Sequence, residues 1–350
     1  MAMKKILKWA SLLLAAGLFS CNTPEPLPQE DDDDENKDLI ENYTVEAVVS
    51  ITYRGSVTVE NPLEGQGVLI VTDGNNVVCT STTDKLVEFR LSGDNNNASF
   101  TLYSDKRYVL TLNGIKMKSA GRPAINLQSS KRCYLVIADN TDNYLADSGT
   151  YDTDKDTNES HTDLKGVLFS EGQLVVSGNG VLKIDANNAN GHAIATDEYL
   201  RMRSGNIQIG KSAKQALHIK DYWLMEGGTL TADMVNDGAK ITKGYIHITG
   251  GTVNMTVNDD GILTSYGDDV ANDTDPDINT DITIDGGDIT IFSMKTKSSG
   301  YGIRSTGNLY LNQGTLNLTV YSAATALVAD YEGCSVYRNG AQINIVSSTD

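Results

Sequence analysis

A short glycine-led motif returns through the chain at near-constant spacing, and no other feature narrows the fold as much. Gly180-Val-Leu-Lys-Ile, Gly205-Asn-Ile-Gln-Ile, Gly228-Thr-Leu-Thr-Ala, Gly251-Thr-Val-Asn-Met, Gly287-Asp-Ile-Thr-Ile and Gly314-Thr-Leu-Asn-Leu follow one another at gaps of 25, 23, 23, 36 and 27 residues. A unit of this length cannot bury its own apolar face and must stack on its neighbours.

Each unit holds three short extended runs. The first is the glycine-led run. The second is a small-apolar pair, as in Ala193-Ile194, Ala216-Leu217, Gly238-Ala239, Gly261-Ile262 and Gly302-Ile303. The third alternates strictly, as in Tyr222-Trp223-Leu224-Met225-Glu226 and Tyr245-Ile246-His247-Ile248-Thr249. Alternation at period two marks a strand with one buried face. Leu200, Trp223, Ile246, Ile282 and Leu309 therefore share an inward column, and Met202, Met225, Ile248, Ile284 and Leu311 share the next. Short runs punctuated by Gly, Asn and Asp, with no helical segments between them, predict an all-β chain. The expected architecture is a right-handed parallel β-helix, a solenoid with three short strands per coil. Residues 43–350 are expected to form it, with 43–107 as less regular N-terminal coils. A separate small β-sandwich over 43–115 is the alternative.

The N-terminus carries an address. Residues 1–20 read as a lipoprotein signal peptide, with Lys4, Lys5 and Lys8 ahead of a short apolar run from Leu12 to Phe19. The run is too short to span a membrane as a helix. Leu18-Phe19-Ser20-Cys21 matches a lipobox, which makes Cys21 the expected lipidation site. Residues 21–42 read as a solvated linker, rich in proline and then in acid through Glu30-Asp-Asp-Asp-Asp-Glu35. An outer-membrane lipoprotein exposed at the cell surface is the expected location.

The chain holds 46 acidic and 28 basic residues, for a net charge of −18. Loss of Lys4, Lys5 and Lys8 with the signal deepens it from −18 to −21. Such a surface argues against nucleic acid as a partner. Cys79, Cys133 and Cys334 lack metal-type spacing and read as small buried residues, with room for one disulfide.

The span from Tyr108 onward resembles carbohydrate-binding β-helix proteins related in fold to pectate lyases. The stretches that carry the resemblance are Leu110-Thr-Leu-Asn-Gly114, Pro123-Ala-Ile125, Tyr151-Asp-Thr-Asp-Lys-Asp156, Gly172-Gln-Leu-Val-Val-Ser-Gly178, Asp237-Gly238 and Asn258-Asp-Asp-Gly-Ile262. The resemblance implies a plant-type polysaccharide as partner, cellulose or pectin, and calcium as a structural cofactor. It implies no catalysis.

Three groups of residues are candidates for that chemistry. Tyr199, Tyr222 and Tyr245, spaced by 23 and 23, form a row on the outward parity of the third run, with Arg201 and His247 beside them. The row suits either a sugar face or a ladder that clamps adjacent coils. Asp152, Asp154, Asp156 and Glu159 offer hard oxygen ligands for calcium, though without a full EF-hand pattern. A second acidic loop, Asp268 to Asp277, carries less weight. Asp237 and Asp260, also 23 apart, stack at one corner and need a cation, a proton or backbone donors between them. A polysaccharide lyase is the alternative function, with Lys240, His218 and Arg304 as the basic groups near calcium. A structural adhesin or stalk is a third reading.

Overall fold

The computed structural model describes residues 37–151, 163–266, 278–295 and 300–347. It divides into two compact units, Met1–Asn42 and Tyr43–Asp350. Of the first, the described residues contribute a 3-10 turn at Ile40–Asn42. Cys21 and the signal and linker readings otherwise lie outside the described residues. No helix among the described residues is long and apolar enough to cross a membrane.

The second unit opens with two hairpins, β1 (Ala47–Arg54) with β2 (Ser56–Glu60) and β3 (Val68–Asp73) with β4 (Asn76–Ser81), both antiparallel. The strands that follow are β5 (Val87–Asn95), β6 (Ser99–Ser104), β7 (Tyr108–Lys118), β8 (Ile125–Leu127), β9 (Cys133–Ile137) and β10 (Asp142–Ala146). Next come β11 (Gly166–Ser170), β12 (Leu174–Gly178), β13 (Val181–Ala186), β14 (His192–Thr196), β15 (Leu200–Met202), β16 (Asn206–Ile219) and β17 (Trp223–Met225). The chain continues through β18 (Thr229–Ile241), β19 (Ile246–Ile248), β20 (Thr252–Val257), β21 (Ile262–Thr264) and β22 (Ile282–Ser293). It ends with β23 (Ile303–Ser305), β24 (Leu309–Val320), β25 (Leu327–Ala329), β26 (Val336–Arg338) and β27 (Gln342–Ser347). From β5 onward the ladders are parallel, each joining strands about one repeat apart, as in β17 on β19 and β19 on β22.

The register places the anticipated inward columns together. Leu200 pairs with Trp223, Trp223 with Ile246, Ile246 with Ile282, and Ile282 with Leu309. All five are buried, and they belong to one apolar cluster running from Val49 to Ala326. Each such side chain gains about 1.5–3 kcal/mol on leaving water. Because its neighbours lie a repeat away, that gain exists only when the repeats stack.

How the ladders join corrects the expectation of an open right-handed β-helix with three short strands per coil. The runs do not stay separate. β16 pairs with β13 along its first half and with β14 along its second, and β22 pairs with both β19 and β20. The parallel ladders consequently form a closed circuit: β7, β9, β12, β15, β17, β19, β22, β20, β18, β16, β13, β10 and back to β7. This is a closed twelve-strand parallel barrel with further strands outside it. Glycine supplies the physical reason. Gly287 lies inside β22, where the circuit turns, at φ 83°, and an added Cβ there would sit 2.9 Å from the carbonyl oxygen of Gly251. Gly314 repeats the bend in β24 at φ 90°, where an added Cβ would sit 2.6 Å from the carbonyl oxygen of Gly287. A backbone that turns at positive φ can bend without leaving its ladder. Periodicity identifies which residues stack, but not whether a strand ends at a corner.

Candidate functional site

The second run of each repeat starts at a corner residue and then presents an outward side chain. Gln215 pairs with Asp237, and Gly238 N–H donates to the carbonyl oxygen of Asp260. One repeat further, Gly261 N–H donates to the carbonyl oxygen of Tyr301. The corner column thus runs Gln215, Asp237, Asp260, Tyr301, with His192 one repeat before Gln215. The outward column pairs His218 with Lys240, Lys240 with Leu263, Leu263 with Arg304 and Arg304 with Val328. The structure therefore brings the basic residues of the lyase reading onto one line beside Asp237 and Asp260.

A third carboxylate joins that pair. Ligand oxygens of Asp237, Asp259 and Asp260 all lie within 4.8 Å of one another. Asp237 Oδ1 accepts from the Asp260 backbone N–H at 3.2 Å, and its Oδ2 accepts from Gln215 Nε2 at 2.5 Å. Asp260 Oδ1 accepts from the Tyr301 N–H at 2.9 Å. Asp259 Oδ2 accepts from Lys295 Nζ at 2.5 Å, while its Oδ1 is buried with no hydrogen-bond partner. Burial pushes the Asp260 carboxyl up to about 6, and the charges of Asp259 and Asp237 add to the rise against the Tyr301 N–H and Arg304. The hard donor set, the orphaned Asp259 oxygen and the reluctance of Asp260 to ionise alone all fit Ca²⁺. Three carboxylates leave room for ligands from water or from a bound anion. Spacing pointed to Asp237 and Asp260 but not to Asp259, whose only signal was its place next to Asp260.

At the other end of the strip the His192 and His218 rings stack, with centroids 4.3 Å apart and planes at 14°. Burial, aided by the positive neighbours His218, Lys214, Lys240 and Lys165, holds His192 well below the ordinary histidine range. Arg304 pairs with Asp330 and lies over the Tyr301 ring, 4.8 Å from its centroid.

The tyrosine row is present as a ladder. Tyr199 and Tyr222 stack at 4.5 Å and 12°, and Tyr222 and Tyr245 at 5.0 Å and 13°. Tyr199 is buried, and its hydroxyl accepts from Arg132 Nη2 at 2.8 Å. The ring faces within the row cover one another. Arg201 and His247 share the outward column of the third run with Leu224 between them. Arg201 is buried and ion-paired to Glu226, and His247 Nε2 lies 2.7 Å from Asp285 Oδ2. Asp152, Asp154, Asp156 and Glu159 lie outside the described residues, as does the second acidic loop apart from its surroundings. Cys79, Cys133 and Cys334 are free thiols.

Sequence reasoning missed a second aromatic stack on the third run. Tyr310 pairs with Tyr337, ring centroids 4.9 Å apart and planes at 9°. It also missed a cleft of about 800 Å³ between β2 and β3, lined by Val57, Val59, Ile70 and Glu64 among others. That cleft belongs to the hairpin region and contains none of the strip residues.

Fold and strip together define an all-β protein whose parallel ladders present a line of polar side chains along one outer column. Residues 73–350 match the family described as carbohydrate-binding domain-containing protein, and the chain belongs to that family. A protein of the same description from Acetivibrio thermocellus is 27% identical over 124 residues, which is 35% of this chain and 41% of that protein. The match thus spans about two fifths of that relative's length. A solved structure described as a polysaccharide lyase-like protein from C. thermocellum, in a gadolinium derivative, aligns with a TM-score of 0.53 at 20% identity. The alignment covers 85% of this chain and 96% of that one, and it shows a shared fold.

Proposed function

We propose that the strip from His192 to Arg304 binds an acidic polysaccharide of the pectin type, with Ca²⁺ bridging Asp237, Asp259 and Asp260 to a uronate carboxylate. The family supports polysaccharide binding in general. The observation that carries the finer reading is three converging carboxylates, one with an orphaned oxygen, beside a line of basic side chains. A chain of net charge −18 repels a polyanion unless a cation intervenes, and the triad is where one fits. His218 and Lys240, one ladder step or roughly 4.8 Å apart, and Arg304, two steps beyond Lys240 across Leu263, then offer hydrogen-bond donors spaced along the polymer. Affinity accrues over several weak contacts along a linear polymer. The test is calorimetric titration with oligogalacturonate, with and without Ca²⁺. Binding that needs Ca²⁺ and is lost in Asp237→Asn and Asp259→Asn supports the reading; metal-independent binding indifferent to both substitutions contradicts it.

A lyase is the second reading, favoured by His218 and Lys240 lying in direct register next to the triad. The aspartate triad would hold the calcium that offsets the uronate charge, Lys240 would accept the proton α to the carboxylate, the C–H electrons would form the C4–C5 double bond, and the C4–O glycosidic bond would break with its oxygen taking a proton from solvent. Unsaturated uronate absorbance, lost in Lys240→Ala, would establish it.

The lipobox at Leu18-Phe19-Ser20-Cys21 and the acidic linker support a lipoprotein displayed on the outer membrane. Labelled palmitate incorporation that disappears in Cys21→Ala, together with digestion of the protein on intact cells, tests both parts.

A further inference from the structure

The outward column of the third run changes character along its length. It begins with Arg201, Leu224 and His247, passes Thr283, and ends with Tyr310 and Tyr337. Tyr310 is half-buried, whereas Tyr337 retains 39% of its surface. One face of the Tyr337 ring is covered by Tyr310. The other lies on the side of β26 that no described strand pairs, since the ladder of β26 is with β24. This arrangement differs from the Tyr199–Tyr222–Tyr245 row, where a buried ring closes one end.

A line of amides accompanies these rings. Asn312 Nδ2 donates to Asp285 Oδ1 at 2.7 Å, and Asn339 Nδ2 donates to Asn312 Oδ1 at 2.7 Å. The direction is uniform, so among the described residues the last member, exposed Asn339, keeps its Oδ1 acceptor and its second N–H for another molecule. Asn339 lies two residues beyond Tyr337, at the bend that follows β26. The nearest carboxylate of the line, Asp285, is engaged by His247 on one oxygen and by Asn312 on the other. An exposed aromatic ring beside an amide with a donor and an acceptor to spare, on a line whose own carboxylate is already engaged, matches a neutral sugar. Its axial C–H groups pack on the ring, and a hydroxyl exchanges hydrogen bonds with the amide.

We propose that Tyr337 and Asn339, supported by Tyr310 and Asn312, form a subsite for a neutral hexopyranose, distinct from the cationic strip. The subsite rests on the polysaccharide-binding reading and divides its labour: neutral sugars on the aromatic shelf, uronates at the triad. The probe is cellohexaose, titrated calorimetrically into the full chain without Ca²⁺, with oligogalacturonate plus Ca²⁺ as the parallel arm. Tyr337→Ala is expected to weaken cellohexaose binding at least tenfold, Tyr337→Phe to retain it, and Asn339→Ala to lower it several-fold. None should change the oligogalacturonate isotherm or the melting temperature by more than a degree or two. Cellohexaose binding that survives Tyr337→Ala, or its absence from the wild-type chain while oligogalacturonate binds, overturns the subsite and leaves the broader reading standing. Absence of both isotherms removes both.

Discussion

Asp260 is the residue on which the chemistry of the strip turns. Its carboxyl, raised by burial to about 6 from an ordinary 3.8, holds a proton more tightly in the folded chain than in the unfolded one. Between those values the folded state binds more protons, so stability falls as pH rises through the window. The melting temperature in chelator should therefore drop between pH 5 and 7.5, and Asp260→Asn should remove part of that slope. Identical slopes in the two proteins would exclude Asp260 as a source. Burial also raises Asp221, Asp281, Glu171 and Glu198, so the informative quantity is the difference between the variants. On the proposed reading, added Ca²⁺ would take the place of the proton as countercharge, and at pH 7.5 it should raise the melting temperature of the wild type more than that of Asp259→Asn.

Trp223 has a simpler role. It is fully buried in the inward column between Leu200 and Ile246. Trp223→Ala should cost about 3–5 kcal/mol in denaturant unfolding, the range for a large core truncation.

At the scale of the element, the glycine-led runs, the alternation and the column partners were all legible, because each is a property of spacing. The continuity of β16, β18, β22 and β24 through their corners was not. Polar corner residues, with glycine at Gly287 and Gly314 and a positive φ at Met234 in β18, read as turns whether the ladder stops there or bends through it, and only the hydrogen bonds decide. Gly314→Ala tests the bend. A side chain at φ 90° costs about 1–2 kcal/mol from the left-handed backbone alone. The contact with the Gly287 carbonyl should add to that, so a loss of at least about 2 kcal/mol is expected by chemical denaturation. A neutral outcome would mean the corner is looser than the ladder implies. The tyrosine row marks another limit of sequence. Parity placed Tyr199, Tyr222 and Tyr245 outward, yet stacking at 4.5 and 5.0 Å turns their faces on each other. Tyr222→Ala removes two ring contacts at about 0.5–1.5 kcal/mol each. Lost stability with unchanged retention on polysaccharide would assign the row to clamping.

Across the whole molecule, one apolar cluster ties β1 to the last repeats, and the residues of the proposed binding strip lie outside it. The corner pair Asp237 and Asp260 was visible in advance because 23 residues separate both them and the register partners beside them, Ala239 and Ile262. Asp259 was not, since its side chain reaches the pair by a local turn that periodicity does not encode. The Tyr337 shelf was hidden for a related reason: its exposure depends on which strand edge is left unpaired. A negatively charged chain that recognises a polyanion through a metal should lose that affinity steeply with chelator and moderately with salt. Binding to a neutral glycan should respond to neither.

Titration of oligogalacturonate into the wild-type chain and into Asp237→Asn, each with Ca²⁺ and with EDTA, tests the central claim most directly. Saturable binding by the wild type in Ca²⁺, abolished by EDTA and by Asp237→Asn in a folded protein, is the predicted result. Equal binding in all four titrations would contradict it.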